Sequence, residues 1–280
     1  MRSLVVSAPA AEAELAADML WSLGVVAIEE RPSVGGAIEL WTSLGEGESA
    51  LEVVASAVRA RWRWWTVDVD ESVADGWREH AAVVEVADDL VVVPAWRDDL
   101  LADVGPGCLA LSIEPGPTFG LGDHPTTRGC LLALRRELKA RATRSVLDVG
   151  CGSGILSVAA ARWGVPRVVA VDISPAAVPI TRDNARRNGV AGAVDVSTMP
   201  LHEVHGRHQV VVANILAPTL VELADDLKSR LDDGGALIIS GVLVGRFDHV
   251  VHALAPLIPT RVDLIDGWAT VTLGSGSQPA

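Results

Sequence analysis

The sequence predicts an α/β protein in which a small ferredoxin-like α+β domain precedes a Rossmann-like domain. Two observations predict this architecture. Strand and helix patterns follow the order β-α-β-β-α-β over the first 70 residues, and from about residue 101 they alternate regularly. The chain has 280 residues, of which 49% are hydrophobic and 21% charged. It is therefore long enough for one large or two unequal domains and is not a disordered chain.

Hydrophobic periodicity defines the front domain, residues 1–70. Apolar residues three and four apart predict helices, and short alternating or continuous apolar runs predict strands. The predicted strands span 4–7, 25–29, 37–41 and 64–69, and the predicted helices span 9–23 and 49–61. This ferredoxin-like order is a scaffold, and no catalytic group stands out in it.

Residues 71–100 are predicted to form a connector, with a helix over 71–81 and a hairpin of 83–86 with 90–93. Residues 101–280 are predicted to form a doubly wound domain, because their continuous apolar runs are typical of buried parallel strands. Its predicted strands span 108–113, 146–149, 167–171, 193–196, 210–213, 236–240, 261–264 and 268–272, and its helices 126–139, 155–163, 175–188, 218–231 and 247–257.

Negative charge is concentrated at the front of the chain. Residues 1–100 carry 19 acidic and 7 basic side chains, a balance of −12, out of a net charge of −13. Acidic surface repels phosphate backbones, so we expect no direct nucleic-acid binding. It attracts a basic protein partner, although solubility alone would also explain it.

Cysteine usage and hydropathy indicate the compartment. Cys108, Cys130 and Cys151 cannot all pair within one chain, and none belongs to a CxxC motif, so we expect no metal centre. The start lacks a signal-peptide pattern, and no apolar stretch reaches the about 20 residues that span a bilayer. We therefore expect a cytoplasmic protein without a membrane association. We also expect a monomer, an expectation that does not follow from these features.

The strongest functional signal is a glycine-rich turn between a predicted strand and a predicted helix, Val146-Leu-Asp-Val-Gly-Cys-Gly-Ser-Gly-Ile-Leu-Ser157. Gly150 and Gly152 permit a tight turn and the close approach of a ligand. Asp172, at the end of the next predicted strand, is placed to accept hydrogen bonds from ribose hydroxyls. Together they indicate an adenosine-containing ligand, and a ligand-free tight turn is the structural alternative.

The glycine spacing separates two classes of ligand. A dinucleotide site has the spacing G-x-G-x-x-G, whereas the spacing here is G-x-G-x-G and Asp148 precedes it. A carboxylate at the mouth of the site would repel a pyrophosphate and suit a cationic sulfonium that carries an ammonium group. The motif therefore resembles the S-adenosylmethionine site of Rossmann-like methyltransferases more than that of an NAD-dependent oxidoreductase.

Two further segments have functional interpretations. The loop that ends in His124-Pro-Thr126-Thr127 is rich in glycine and proline, so it can fold over a cofactor, and either threonine is expected to cap the helix that follows. Asn214 ends an apolar strand at the edge where open α/β sheets bind ligands, or it merely caps a loop. The Ile-Leu-Ala after it lacks the aromatic residue with which adenine methyltransferases of nucleic acids stack a flipped base.

In this order the segments resemble the ribosomal protein L-eleven methyltransferase family, bacterial enzymes that use S-adenosylmethionine. The most specific matches are Phe-Gly-x-Gly-x-His-Pro-Thr-Thr at 119–127 and Val-Ala-Asn-Ile-Leu-Ala at 212–217. Further matches lie at 16–30, 76–79, 93–96, 148–156, 182–189 and 240–243, so the resemblance covers nearly the whole chain. The family's Gly-Thr-Gly-Thr-His reads Gly120-Leu-Gly-Asp-His124 here, which changes the side chains of this loop.

The resemblance implies a class I methyltransferase domain over 101–280, a connector over 71–100 and a substrate-recognition domain over 1–70. It implies transfer of methyl groups from S-adenosyl-L-methionine to amino groups, on lysine side chains and at the N-terminus, of a basic large-subunit ribosomal protein. The predicted cofactor-binding residues are Thr127, Gly150, Gly152, Asp172 and Asn214.

No residue is assigned as catalytic, because no general base stands out in the sequence. The amine must be neutral to attack, and burial lowers the pKa of a lysine from about 10.4. Our hypothesis is that Asn214 orients the amine or the methionine part of the cofactor. The alternatives are methylation of another protein's lysines, an NAD-dependent oxidoreductase and a non-catalytic module that binds a ribosomal protein.

Overall fold

The computed structural model describes residues 2–22, 27–33, 35–43, 61–68, 82–115 and 122–275. The chain divides into two compact units, residues 1–81 and 82–280. None of the described helices is long and apolar enough to cross a bilayer.

The first unit contains a four-stranded antiparallel sheet. Its elements are β1 (Arg2–Pro9), α1 (Ala13–Ser22), β2 (Ala27–Pro32), β3 (Ala37–Ser43) and β4 (Arg63–Asp68). The strand order is β2-β3-β1-β4, and Leu20 of α1 packs with Leu4 and Leu40 of the sheet. The helices predicted over 49–61 and 71–81 lie outside the described residues except for position 61, so the ferredoxin-like assignment stays a prediction.

The second unit alternates strands and helices, as its sequence predicts. Its elements are β5 (Val84–Ala87), β6 (Leu90–Pro94), β7 (Leu109–Ile113), α2 (Pro125–Ala140), β8 (Ser145–Val149), α3 (Ile155–Arg162), β9 (Arg167–Val171), α4 (Ala177–Arg187), β10 (Val194–Ser197), β11 (His208–Asn214), α5 (Ala217–Glu222), α6 (Ala224–Ser229), β12 (Leu231–Leu243), α7 (Asp248–Ala253), β13 (Leu257–Ile265) and β14 (Trp268–Ser275). The single helix predicted over 218–231 is two short helices, α5 and α6, which are interrupted at Leu223.

A small sheet, β5-β6-β7, includes part of the predicted connector. The strands β5 and β6 form the predicted hairpin, and β6 pairs in parallel with β7. Leu90 and Val92 of β6 are fully buried in the same hydrophobic core as Leu131 of α2 and Val158 of α3. The described residues of the predicted connector therefore pack into the second unit, and the predicted boundaries at 70 and 100 stay predictions.

The main sheet has the order β10-β9-β8-β11-β12-β14-β13. The strands run parallel from β10 to β12, and β14 lies antiparallel between β12 and β13. Side chains alternate between two cores: Val146 packs on one face with α2 and α3, and Leu147 on the other with α5 to α7. The predicted α/β fold is confirmed, and the strand order reverses at β8.

A close contact between α2 and β14 tests this packing. Alanine normally stabilises a helix by about 1 kcal/mol relative to glycine. At the buried Gly129, however, a Cβ atom would overlap the hydroxyl of Thr270. We expect Gly129→Ala to lower the free energy of unfolding by about 1–3 kcal/mol in urea denaturation. The loss should shrink when Thr270→Ala removes the hydroxyl, and a gain of stability from G129A alone would contradict the described packing.

Candidate functional site

The parallel register brings three predicted site residues to one edge of the sheet. The last residue of β8 pairs with the last residue of β9 and with the last but one of β11. Gly150, Asp172 and Asn214 therefore lie at the same level on adjacent strands. Loops leave this edge toward opposite faces on either side of β8, and open α/β sheets bind ligands in the resulting crevice.

The glycine turn between β8 and α3 has a left-handed backbone. The φ angles of Gly150, Gly152 and Gly154 are +73°, +54° and +77°, which glycine adopts without steric cost. The N–H of Gly150 donates to the carbonyl of Val171 (2.8 Å), which anchors the turn to the end of β9. A Cβ atom at Gly150 would overlap the side chain of Ile215.

Ile215, which follows Asn214, packs between Gly150 and Gly241. On its other side lies Gly241, which has a φ of +87° and at which a Cβ atom would overlap the Ile215 carbonyl. The two glycines leave the space that Ile215 occupies. The position of Asn214 at the crevice is therefore fixed by its neighbour's packing, a role that the sequence analysis did not assign to Ile215.

Asp172 ties the glycine turn to the loop after β9. Its Oδ2 accepts from the Gly152 N–H (2.8 Å) and its Oδ1 from the Ser174 N–H (2.8 Å). Each carboxylate oxygen can accept a further hydrogen bond, and the side chain is only partly buried. Asp172 can therefore bind ligand hydroxyls while it holds the turn.

Asp148 lies beneath the turn and not at its mouth, so the expectation of a carboxylate at the mouth is wrong. The side chain is fully buried on the face that packs against α3. Its Oδ2 accepts from the N–H (3.1 Å) and the hydroxyl (2.6 Å) of Ser157, whereas its Oδ1 has no partner within the described part of the chain. Burial raises the pKa of Asp148 to about 7, against the hydrogen bonds from Ser157.

The helix α2 is capped by His124, so the predicted cap at Thr126 or Thr127 is wrong. The Nδ1 of His124 accepts from the Thr126 N–H (3.3 Å) and lies 2.8 Å from the Thr126 hydroxyl. Burial lowers the pKa of His124, which favours the neutral ring that this cap requires. The signal in the sequence is Pro125, because proline favours the first helical position and so places the cap one residue earlier.

Thr127 is thereby left with an unpartnered hydroxyl. The residue is 1% exposed, and no described residue pairs with its Oγ1. Thr127 lies on α2 and Asp148 is hydrogen-bonded to Ser157 of α3, and both helices pack on the same face of the sheet. A buried polar atom without a partner costs about 1–3 kcal/mol, so these two atoms mark a place for a polar ligand.

Two residues that the sequence analysis did not single out hold the carbonyls of the glycine turn. The hydroxyl of Thr181 donates to the Gly152 carbonyl (3.1 Å), and the amide of Asn184 donates to the Ser153 carbonyl (2.8 Å). Both side chains are fully buried. The sequence feature that could have indicated this role is the pair Asn184 and Asn188, four residues apart within the family-like segment 182–189.

Comparison with known proteins identifies the family. The sequence profile described as "Ribosomal protein L11 methyltransferase (PrmA)" matches residues 39–273. This chain belongs to the ribosomal protein L11 methyltransferase family. The resemblance read from the sequence motifs is therefore confirmed.

Relatives that carry this family name differ in how much of their length is matched. The protein from Citrifermentans bemidjiense is 46% identical over 196 residues, which cover 69% of this chain and 63% of the relative. That from Geobacter metallireducens is 44% identical over 182 residues (65% and 58%). The chain thus spans about three fifths of these relatives. The match to the Chromohalobacter salexigens relative is longer, 38% over 264 residues, or 88% of this chain and 85% of the relative.

A solved structure supports the fold. The crystal structure of a ribosomal protein L11 methylase from Lactobacillus delbrueckii subsp. bulgaricus has a TM-score of 0.63 and 29% identity, and the match covers 70% of this chain and 99% of that one. The prediction of a class I methyltransferase fold in a family member is confirmed.

The buried carboxylate of Asp148 predicts a pH dependence of stability. Its folded pKa of about 7 lies above its ordinary value of 3.8. Its contribution to stability is therefore full below about pH 4 and is lost as the pH rises through about 7, by at most about 1.4 kcal/mol per pH unit. Asp148→Asn cannot ionise, so the free energy of unfolding of the wild type should fall relative to this variant over that range. Asp195→Asn, at an exposed carboxylate, is the matched control, and wild-type and D148N curves that stay parallel from about pH 4 to about pH 8 would contradict the assignment.

Proposed function

We propose that this chain transfers methyl groups from S-adenosyl-L-methionine to amino groups of ribosomal protein L11, on lysine side chains and at the N-terminus. The observation that carries the proposal is the pair of buried polar atoms without described partners, Thr127 Oγ1 and Asp148 Oδ1, on the face of the sheet to which the glycine turn leads. A family member with this site is suited to a polar, cationic ligand.

The residues at the crevice fit S-adenosylmethionine. Asp172 has spare acceptor capacity for the ribose hydroxyls, as is usual at this position of the fold. The Thr127 hydroxyl can bind the methionine part of the ligand, and Asp148, beneath the turn, holds Ser157 of α3. When bound, S-adenosylmethionine supplies an electrophilic methyl group on a sulfonium.

The task of the protein is to position the amine and to exclude water. Asn214 is partly buried at the end of β11, where its Oδ1 can accept a hydrogen bond from the amine and so orient the nitrogen lone pair. The amine must be neutral, and the apolar neighbours Ile215 and Leu216 disfavour the charged form of a lysine. We assign no general base.

The other candidate functions fit less well. A dinucleotide would bring a pyrophosphate anion toward the carboxylate of Asp172, and the G-x-G-x-G spacing is not that of dinucleotide sites. Buried polar atoms without hydrogen-bond partners lower stability, and a non-catalytic binding module that takes no cofactor would not offset this cost. Methylation of lysines in another protein is the alternative that a substrate assay must separate.

The acidic front of the chain supports a basic protein partner. Residues 1–70 are the candidate recognition domain, and the balance of −12 over residues 1–100 complements a basic ribosomal protein. We further propose a cytoplasmic monomer without direct nucleic-acid binding.

Calorimetric titration with S-adenosylmethionine tests the cofactor. The wild type should bind it and should not bind NAD. Asp172→Ala should weaken binding about 10- to 100-fold, because it removes the ribose acceptor and an anchor of the turn. Asp195→Ala, at an exposed acid on β10, is the matched control. Equal affinities of D172A and wild type would refute the assignment of Asp172.

A methyl-transfer assay at two salt concentrations tests the substrate. Purified L11 should be labelled. Its KM should rise when salt increases from about 0.05 to about 0.5 M, because the screening length becomes several-fold shorter and the attraction between opposite charges weakens. The KM for S-adenosylmethionine should change little. Labelling of a different protein in an extract that lacks this enzyme, with none on L11, would favour the alternative substrate. Equal salt sensitivity of both KM values would show that the acidic surface serves solubility.

A further inference from the structure

We propose that Asn184 of α4 is a positioning residue that fixes the glycine turn and the segment after β7 in one arrangement. The proposal rests on the proposed function, because the turn matters here as part of the cofactor site. The juxtaposition that carries it is a buried side-chain amide hydrogen-bonded to both segments.

Two asparagines, Asn184 within α4 and Asn188 directly after it, bond to the free edge of β7 and to Glu114 just beyond it. This strand is at the edge of the small sheet, with β6 on one side only. On the other side, Asn188 Oδ1 accepts from the Ser112 N–H (3.0 Å) and its Nδ2 donates to the Ser112 carbonyl (2.7 Å). Asn184 does the same with the N–H (2.9 Å) and carbonyl (2.8 Å) of Glu114.

The spacings of helix and strand residues explain how two side chains at the end of one helix can bond to two backbone positions of β7 and the segment after it. Residues four apart on a helix are separated by about 6 Å along its axis. Residues two apart on a strand are separated by about 6.6 Å and present their backbone groups to the same side. Asn184 and Asn188 therefore meet Ser112 and Glu114 in register, and the two amides replace a neighbouring strand.

The two amides differ in their third hydrogen bond. The Nδ2 of Asn188 donates to the Asn184 carbonyl within its own helix (2.8 Å), whereas the Nδ2 of Asn184 donates to the Ser153 carbonyl of the glycine turn (2.8 Å). Asn184 thus joins β7 to the turn, and Asn188 does not. Asn184 is fully buried and Asn188 is 7% exposed, so they are closely matched in environment.

A second residue of α4 holds the preceding carbonyl of the turn. Thr181 donates to Gly152, and a Cβ atom at Gly154 would lie 2.6 Å from the Thr181 methyl group. Because the peptide unit is planar and trans, fixing these carbonyls toward α4 turns the N–H groups of the same peptides away from α4. One of these N–H groups, that of Gly154, donates to the Cys151 carbonyl (2.7 Å), so the side chains of α4 act by fixing the backbone of the turn.

The test compares Asn184→Ala with Asn188→Ala in the full chain. Each variant removes three side-chain hydrogen bonds, so both should lower the Tm by a similar amount. We expect N184A to raise the Kd for S-adenosylmethionine about tenfold or more, and N188A to change it by less than about threefold. Without ligand, N184A should speed hydrogen exchange at both Glu114 and Gly154, whose N–H shares a peptide unit with the Ser153 carbonyl, and N188A at Ser112 alone.

Equal effects of the two variants on the Kd, or no effect of N184A, would overturn the proposal. If N184A does not fold, Thr181→Val and Thr181→Ser replace the pair. T181V frees a carbonyl of the turn and should weaken binding, T181S keeps the hydroxyl and should bind as the wild type, and equal binding of the two would overturn the proposal. A wild type that does not bind S-adenosylmethionine would refute the proposed function, and the ligand-free exchange pattern would then still decide the role of Asn184.

Discussion

The reversal of strand order at β8 is the constraint on which the site depends. The chain leaves β8 through the glycine turn toward α3 on one face of the sheet, and it leaves β11 through Ile215 toward α5 on the other. The crevice between these two loops is lined by the residues at the carboxyl ends of the neighbouring strands. Parallel pairing fixes those residues as Gly150, Asp172 and Asn214, and Ile215 holds the two exits together.

Two buried polar side chains lie on the face of the sheet to which the glycine turn leads. Asp148 and Thr127 are buried with polar atoms that no described residue satisfies, which is costly in a ligand-free protein. A cationic ligand with hydrogen-bonding groups would relieve both costs at once. Burial favours the neutral form of Asp148 by raising its pKa, and a positive charge nearby would favour the ionised form.

Much of this could be predicted from the sequence. Continuous apolar runs located the parallel strands, and glycine spacing with a following acid located the crevice, because these signals are local. The cap at His124 was missed because two threonines next to Pro125 are better-known caps. The depth of Asp148 was missed because a motif shows order along the chain and not which face of the sheet a side chain takes. Asn184 acts on residues about 30 and 70 positions away, through contacts that exist only in the fold.

A crystal structure of the protein with S-adenosylhomocysteine, the demethylated product of the cofactor, tests the central claim most directly. The account predicts the ligand across the glycine turn, with its ribose hydroxyls on Asp172 and its amino-acid part beside Thr127. A ligand bound at the opposite edge of the sheet, among Arg141, Arg207 and Asp232, or one that leaves Asp172 without a contact, would contradict it.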